Sequence, residues 1–472
     1  MLLCNTRTTA LGQNLSPSPS EPWRNEKKQA QFDRALKAFP EALYSIDSTH
    51  PYALAELIDL AEVHNPDTRI SWQNAKAKLA DLGIAESALY PTVAAVATAA
   101  TWRNGPLIGA SFRRQTIGLF QPTLNLNYLV FDFGRRSGAI TEAKDDLYAA
   151  DFAFNATHLR IIYNVAVTYY RLLNAIGQVD AAKANLSNAQ TVLKDSEARL
   201  RNGVATLPDV LESQAAEAQA EYDLQAAVGS QDVAHGDLAT ALGLPAYTQF
   251  EVQKIADLTI PDQLNETAEE AVDRALDQRP DLLEQVAKIR AAEASLKQAR
   301  SDYLPSLTFS GLGGLQRGYG QQDLLPGTYA SGETWNVQLN LQWTLFDGAR
   351  RENTIAEAKA KRTQAKAELD AARDQISNEV WTAYSNLKTA QRQRQAAAAL
   401  LASADRSYGA ALRSYDLGLR SLLDVVAAQK ALAQARSSDV SARTQVLTQI
   451  SNLAFRTADL LRAPAPKIGP QP

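Results

Sequence analysis

The sequence predicts an α+β membrane protein. It is built as a twofold internal repeat, with four strands per chain contributing to a β-barrel closed only by assembly, and long helices continuing from it. Three observations predict this. Residues 335–346 alternate as a strand with one apolar and one polar side. A very long Ala-rich helical pattern follows at once. Both features recur about 215 residues earlier in the chain.

In WNVQLNLQWTLF, Trp335, Val337, Leu339, Leu341, Trp343 and Leu345 alternate with Asn336, Gln338, Asn340, Gln342 and Thr344. Successive strand side chains point to opposite faces, so this pattern makes one greasy and one wet face. Before Phe131, Leu124, Leu126, Tyr128 and Val130 alternate with Asn125 and Asn127. Leu307 and Phe309 alternate with Ser306, Thr308 and Ser310 in the first strand of the second half. About ten residues per strand suits a tilted crossing of a bilayer. The alternative is a soluble sheet that packs its apolar face on the helices. Helices that run away from the strands give poor cover for that face.

The repeat aligns YLVFDFGRRSGAITEAK from Tyr128 with WTLFDGARRENTIAEAK from Trp343, without a gap. Gly203, Asp209 and Gln214 match Gly418, Asp424 and Gln429 at the same offset of 215. Upstream, NPD at Asn65 matches RPD at Arg279, and Pro91 matches Pro305, at an offset of 214. One residue was therefore gained or lost between the first and second strands of each half. Each half reads as a short helix, a second helix from the Pro-Asp, a strand from Pro91 or Pro305, a loop, and a strand ending at Phe131 or Phe346. A long helix to about 202 or 417, a turn at Gly203 or Gly418, and a fourth helix to about 242 or 462 complete it. The Gly-rich SGLGGLQRGYGQQDLLPG reads as the loop of the second half. The expected organisation is a flexible extension over 1–49, a first repeat over 50–243, a linker over 244–265, a second repeat over 266–463 and a flexible tail over 464–472.

A helix over 135–202 would be on the order of 100 Å long at 1.5 Å per residue. By itself it reads as coiled coil, since Ala lets helices approach closely and Glu–Lys spacings suit an exposed helix face. Four strands cannot close a membrane barrel, and an open sheet edge is forbidden in lipid. Two copies would supply eight strands and three copies twelve, and the residues do not choose between them.

Composition narrows the function classes. The 472 residues carry a net charge of -4, which gives no footprint for nucleic acid or an anionic surface. A single cysteine, Cys4, excludes an intrachain disulfide and a Cys-based zinc site. Apolar runs are too short for a transmembrane helix, a criterion to which alternating barrel strands are invisible. The start lacks a basic region followed by an apolar stretch, so no export signal is legible. Cys4 after two leucines would suit the end of a lipoprotein signal; an incidental cysteine in a flexible tail is the simpler reading. His50, His64, His158 and His235 are far apart in sequence and form no metal-like pair. With no Walker loop, Rossmann glycine pattern or nucleophile elbow, the chain reads as a non-enzyme that needs no cofactor.

Taken together, the repeat, the FDFGRR and FDGARR junctions, the NPD and RPD…YLPS motifs and the turns RLRNGVATLPDVLESQ and SYDLGLRSLLDVVAAQ resemble the TolC-type outer-membrane efflux protein family over about residues 50–463. The resemblance implies a homotrimer with a twelve-stranded barrel in the outer membrane and a periplasmic tunnel of twelve long helices. It implies a periplasmic adaptor (membrane fusion) protein and an inner-membrane pump as partners. The chain would then be a passive outer-membrane conduit to the exterior. On this reading Trp335, Leu339, Leu341 and Trp343 face outer-membrane lipid. Thr206 with Asp209, and Ser421 with Asp424, fit helix capping. The resemblance adds a gate at the periplasmic constriction: Tyr415 and Arg420 would bond Asp209 of a neighbouring chain, and Asp424 would join an acidic ring. Ala427 stands where some relatives carry a second Asp, which implies weaker cation binding. A protein-secretion exit channel of the same fold is the alternative within the family. A soluble, elongated coiled-coil structural or adaptor protein is the alternative outside it.

Overall fold

The structure is a computed structural model that describes Ser20, residues 26–37, Ile46, Asp47, residues 50–255, Leu258, Ile260, residues 266–323 and residues 325–462. Cys4 and the tail over 464–472 lie outside the described residues, as do most of the expected extension over 1–49 and part of the expected linker. The chain divides into two units, residues 1–50 and 51–472. The described element of the first is helix α1 (Glu26–Lys37). All that follows concerns the second.

Its elements recur in order. Helices α2 (Leu54–His64) and α3 (Pro66–Ser87) precede strand β2 (Thr92–Asn104), the short β3 (Leu107–Ile108) and β4 (Ser111–Phe112), and β5 (Gln115–Phe131). Helices α4 (Arg135–Arg201) and α5 (Leu207–Ala241) complete the set. The second set is α6 (Ala268–Gln278), α7 (Pro280–Ser301), β7 (Ser306–Gln322), β8 (Thr328–Gln342), α8 (Arg350–Asp416) and α9 (Leu422–Arg456). Helices α4 and α8 are both 67 residues long, and α5 and α9 both 35. Two short strands, β1 (Pro51–Tyr52) and β6 (Glu251–Val252), pair in parallel and tie the start of the first set to the segment that leaves it.

Proline and caps punctuate the chain where physics requires. Pro66 and Pro280 open α3 and α7, where a missing N–H costs nothing. The preceding Asn65 accepts a hydrogen bond from the Asp67 amide at 2.9 Å. The long helices bury a narrow seam. Ile376, Ala383, Ala390, Ala397, Ala404 and Ala411 of α8 are buried at every seventh position, with Val380 and Leu387 interleaved. That period is the coiled-coil signature, and small residues along it bring the partner backbone close. Gly177 of α4 shows how close: a Cβ there would lie 2.5 Å from Cγ1 of Val440 on α9.

The four main strands form one antiparallel sheet in the order β2-β5-β7-β8. Three expectations about it are corrected. The glycine-rich SGLGGLQRGYGQQ is not a loop but most of β7, a central strand. Gly314 explains part of that composition, since a Cβ there would collide with the Pro122 carbonyl and come within 2.8 Å of the Thr123 Cα on β5. The last strand also ends at Gln342, not Phe346. Its final pair is Ser306 with Gln342, and beyond it the neighbouring strand is preceded by Pro305, which has no N–H to donate. Trp343 therefore lies one residue outside the strand, and its indole N–H donates to the Tyr303 carbonyl at 3.0 Å. At 13 to 17 residues the strands are longer than the ten expected. The fourth helix of the second set ends at Arg456, with a 3₁₀ turn over Asp459–Arg462, and not near 462.

Candidate functional site: the two-faced sheet and the helix turns

Register sorts the sheet into two faces. One row runs Val93, Leu126, Gly311, Val337 across the four strands; its neighbours are Ala95, Leu124, Gly313, Trp335 and Tyr128, Phe309, Leu339. The intervening rows are Thr92, Asn127, Ser310, Gln338 and Ala94, Asn125, Leu312, Asn336. The alternation of single strands thus adds up to one apolar and one amide-rich surface. The apolar surface is bare: Trp335 is 77% exposed, Leu339 63% and Leu341 65%. Such a face is not the buried side of a soluble sheet, and a contiguous apolar patch of this kind marks a lipid or protein contact. No described helix is long and apolar enough to cross a membrane.

Each strand-to-helix junction is locked in the same way. Asp132 accepts from the Arg136 amide at 2.8 Å and from its Nε at 3.2 Å, while the guanidinium also donates to the carbonyls of Ala88 and Val130. At the equivalent positions Arg351 Nε donates to Asp347 at 2.9 Å and Nη2 to the Leu345 carbonyl at 3.3 Å. Two successive left-handed residues make each corner, Phe133 and Gly134 in one and Gly348 and Ala349 in the other. The arginine thus binds strand end and helix start together.

The far ends of the long helices are built as a second matched pair. Gly203 (φ 74°) and Gly418 (φ 72°) occupy left-handed positions just past α4 and α8. The Val204 amide reaches the Arg199 carbonyl at 2.9 Å and the Leu419 amide the Ser414 carbonyl at 2.8 Å, the closing bonds of a Schellman turn. Asp209 Oδ2 accepts from the Thr206 amide at 2.8 Å and its hydroxyl at 2.6 Å. Asp424 Oδ2 accepts from the Ser421 amide at 3.1 Å and its hydroxyl at 2.9 Å. Those hydroxyl and amide bonds hold both carboxyls below the ordinary value of 3.8. A carboxyl depressed in the folded state stabilises above its unfolded pKa, and the contribution is lost as pH falls through the folded value. Amide protection at Thr206 and Ser421 should therefore be full at neutral pH and fall only below about pH 4. Hydrogen exchange at a series of pH values checks this, and protection lost already at pH 6 would contradict it.

Within one chain, Tyr415 and Arg420 are not bonded to Asp209 among the described residues; Tyr415 is held instead by Arg199, a residue that sequence reasoning missed. Arg199 donates to Asp195 at 2.9 Å, to Asp416 at 2.8 Å and to the Tyr415 carbonyl at 3.3 Å. Its guanidinium also lies 4.4 Å from the centre of the Tyr415 ring. Burial opposes the Arg199 charge, but the bond and charge of Asp195, with Tyr415 and Asp416, outweigh it and raise its pKa. Burial raises the Tyr415 phenol, and the charges of Asp195, Asp209 and Asp416 add to it against Arg199. Asp209 thus adds to the negative charge acting on Tyr415 inside one chain. Arg420 contributes a charge beside Asp424. The available cue for Arg199 was its spacing of four from Asp195; its repeat counterpart is Ser414, so the repeat itself pointed elsewhere.

The comparisons with known proteins agree with this geometry. The family model described as outer membrane efflux protein matches residues 57–244 and 271–457. Protein CyaE of Bordetella pertussis is 29% identical over 424 residues, covering 88% of this chain and 86% of that protein. The toluene efflux pump outer membrane protein TtgC of Pseudomonas putida is 25% identical over 414 residues, covering 86% and 82%. Among solved structures, a membrane protein from Pseudomonas aeruginosa superposes with a TM-score of 0.75 at 21% identity, covering 88% of this chain and 99% of that one. The CmeC outer membrane channel of Campylobacter jejuni gives 0.69 at 21% identity, covering 90% and 96%. The chain belongs to the outer membrane efflux protein family and is an outer-membrane efflux channel.

Proposed function

We propose that three copies of this chain close a twelve-stranded barrel in the outer membrane, continued by their long helices as a periplasmic tunnel. The channel is a passive conduit that receives its cargo from a periplasmic adaptor and an inner-membrane pump. The observation that carries this reading is the sheet itself. Its outer strands β2 and β8 each have one edge unpaired among the described residues and run in opposite directions. Lipid forbids open edges. Strand β8 of one copy can meet β2 of the next in antiparallel fashion, so the ring closes without a change of pattern. Efflux as the task follows from family membership, and the Pseudomonas putida relative is the outer membrane protein of a toluene efflux pump. The test is to express the chain behind an export signal, fractionate membranes and measure mass by light scattering in detergent. A particle of three times 51.3 kDa in the outer-membrane fraction supports the reading. A detergent-independent monomer would replace it with a soluble coiled-coil protein.

The helix turns then form the gate. Asp209 caps its helix with Oδ2, which leaves Oδ1 for Tyr415 and Arg420 of a neighbouring copy. Asp424 stands on the adjacent turn as the acidic residue of the constriction. Arg199 adds an intrachain latch that holds Tyr415 in place. Charge-assisted bonds of this kind contribute about 1.5–3 kcal/mol, which corresponds to roughly a ten- to hundredfold change in the closed-to-open ratio. Arg420→Ser and Arg199→Gln should each raise single-channel conductance in planar bilayers. Unchanged conductance in Arg420→Ser would remove the interchain pair from the gate, and in Arg199→Gln it would reduce Arg199 to a structural tie.

A further inference from the structure

The polar face of the sheet has a property that the single-strand patterns do not reveal. Followed through the register of all four strands, from the Thr92 row to the Asn104 row, no position on that face is Asp, Glu, Lys or Arg. The strand charges Arg103, Arg317 and Glu333 all fall on the opposite face. What that face offers instead is amides, hydroxyls and small residues, with uncharged Val96, Trp102, Ile117, Leu119 and Leu312 among them. Asn125, Asn127, Ser310, Asn336 and Gln338 line a shallow hollow of about 390 Å³ on it. A carboxamide carries both donors and an acceptor, so it can solvate an anion, a cation or a neutral polar group equally well. Pores that select ions by sign do so with rings of charged side chains, and fixed charge in a low-dielectric cleft changes local ion concentration by tenfold or more.

We infer that the barrel lumen is a charge-blind wall: it passes anionic, cationic and neutral polar solutes alike, and any selection by charge occurs in the helical part of the conduit. This rests on the proposed trimeric barrel, with the amide face inward. It defines the solute class that the exit admits by size and water solubility, not by sign.

The test is a local one, made from the outer side so that the gate does not intervene. Gln338→Cys is placed in a Cys4→Ser chain, with Asn340→Cys as the second site should the first assemble poorly. Each is reacted with an anionic sulfonatoethyl and a cationic trimethylammonioethyl methanethiosulfonate at low salt, and the rates are divided by those of a small free thiol. The expected result is that the normalised anion and cation rates agree within about twofold at both sites, since no charge is present to enrich either reagent. A split of tenfold or more in either direction overturns the inference. Failure of Gln338→Cys to react in channels that conduct also overturns it, because the amide face would then not line the pore. A chain that forms no detergent-extractable oligomer at all instead refutes the trimeric barrel on which the inference rests.

Discussion

Leu339→Arg should abolish assembly of the channel, while Asn340→Arg, one residue away, should leave it intact. Leu339 lies on the apolar face in the row of Phe309 and Tyr128, midway between Trp335 and Trp343, which sits one residue past the strand end. The span from Trp335 to Trp343 is about 26 Å of extended chain, which a strand tilt of 35–45° projects to about 18–22 Å along the membrane normal. That is the scale of the apolar band of an outer-membrane barrel, about 25 Å, which aromatic residues flank at both interfaces. Leu339 is therefore at the depth where an arginine on the lipid face costs about 2–4 kcal/mol per chain. In a trimer the penalty is taken three times, and the open edges of the sheet leave the chain no stable monomer in lipid. Asn340 points to the amide face, where water and neighbouring Asn and Gln side chains can solvate a guanidinium. The measurement is the yield of detergent-extracted trimer for both variants, followed by conductance of whatever assembles. Normal assembly of Leu339→Arg with loss of Asn340→Arg would mean that the faces are assigned the wrong way round.

Much of this was legible because the physical signals are periodic. Alternation gave the apolar and polar sets of β5 and β8, and the register then joined them through β7, where Leu312 sits between Asn125 and Asn336. The offset of 215 gave helices of equal length in both halves. The misreadings share a different cause: each depended on a partner that a linear reading does not display. The alternation of residues 335–346 continues past Gln342, but the strand stops where its neighbour stops, at the proline before Ser306. The glycines of residues 311–320 look like a loop until β5 is placed beside them and Gly314 is found against Pro122. Arg199 reads as one arm of a helix-face ion pair until α8 brings Tyr415 and Asp416 to it. Its contacts span more than 200 residues of sequence, and its counterpart in the other half is a serine. The residues that the resemblance assigns to a gate lie on the two turns, and the residue that joins the ends of α4 and α8 within a chain required the fold.

Arg351→Ala should cost about 3–5 kcal/mol and loosen the joint between sheet and helix, because it leaves the buried Asp347 carboxylate with only the exposed Arg350, 3.9 Å away. The Arg351 side chain is 8% exposed and that of Asp347 11%, so neither charge is well solvated once its partner is gone. The guanidinium also packs 4.7 Å from the centre of the Tyr303 ring, and Tyr303 in turn accepts the Trp343 indole N–H through its carbonyl. One residue therefore holds the end of β8, the exit from α7 and the first turn of α8 in register. Ala349 next to it is held at φ 66°, an unfavourable conformation for a residue with a Cβ, which the junction must keep in place. Hydrogen exchange of residues 343–353 should accelerate by roughly a hundred- to several thousandfold, the factor that 3–5 kcal/mol implies if local opening governs exchange. The matched corner at residues 128–138 supplies an internal reference, since Arg136 and Asp132 stay intact there. The double variant Asp347→Asn with Arg351→Gln separates charge from shape. It leaves no buried charge, so it should exchange more slowly than Arg351→Ala even though it lacks the ion pair. If the double variant exchanges as fast as Arg351→Ala, the packing of the arginine against Tyr303 and the strand-end carbonyl holds the joint, and the charge of Asp347 has no part in it.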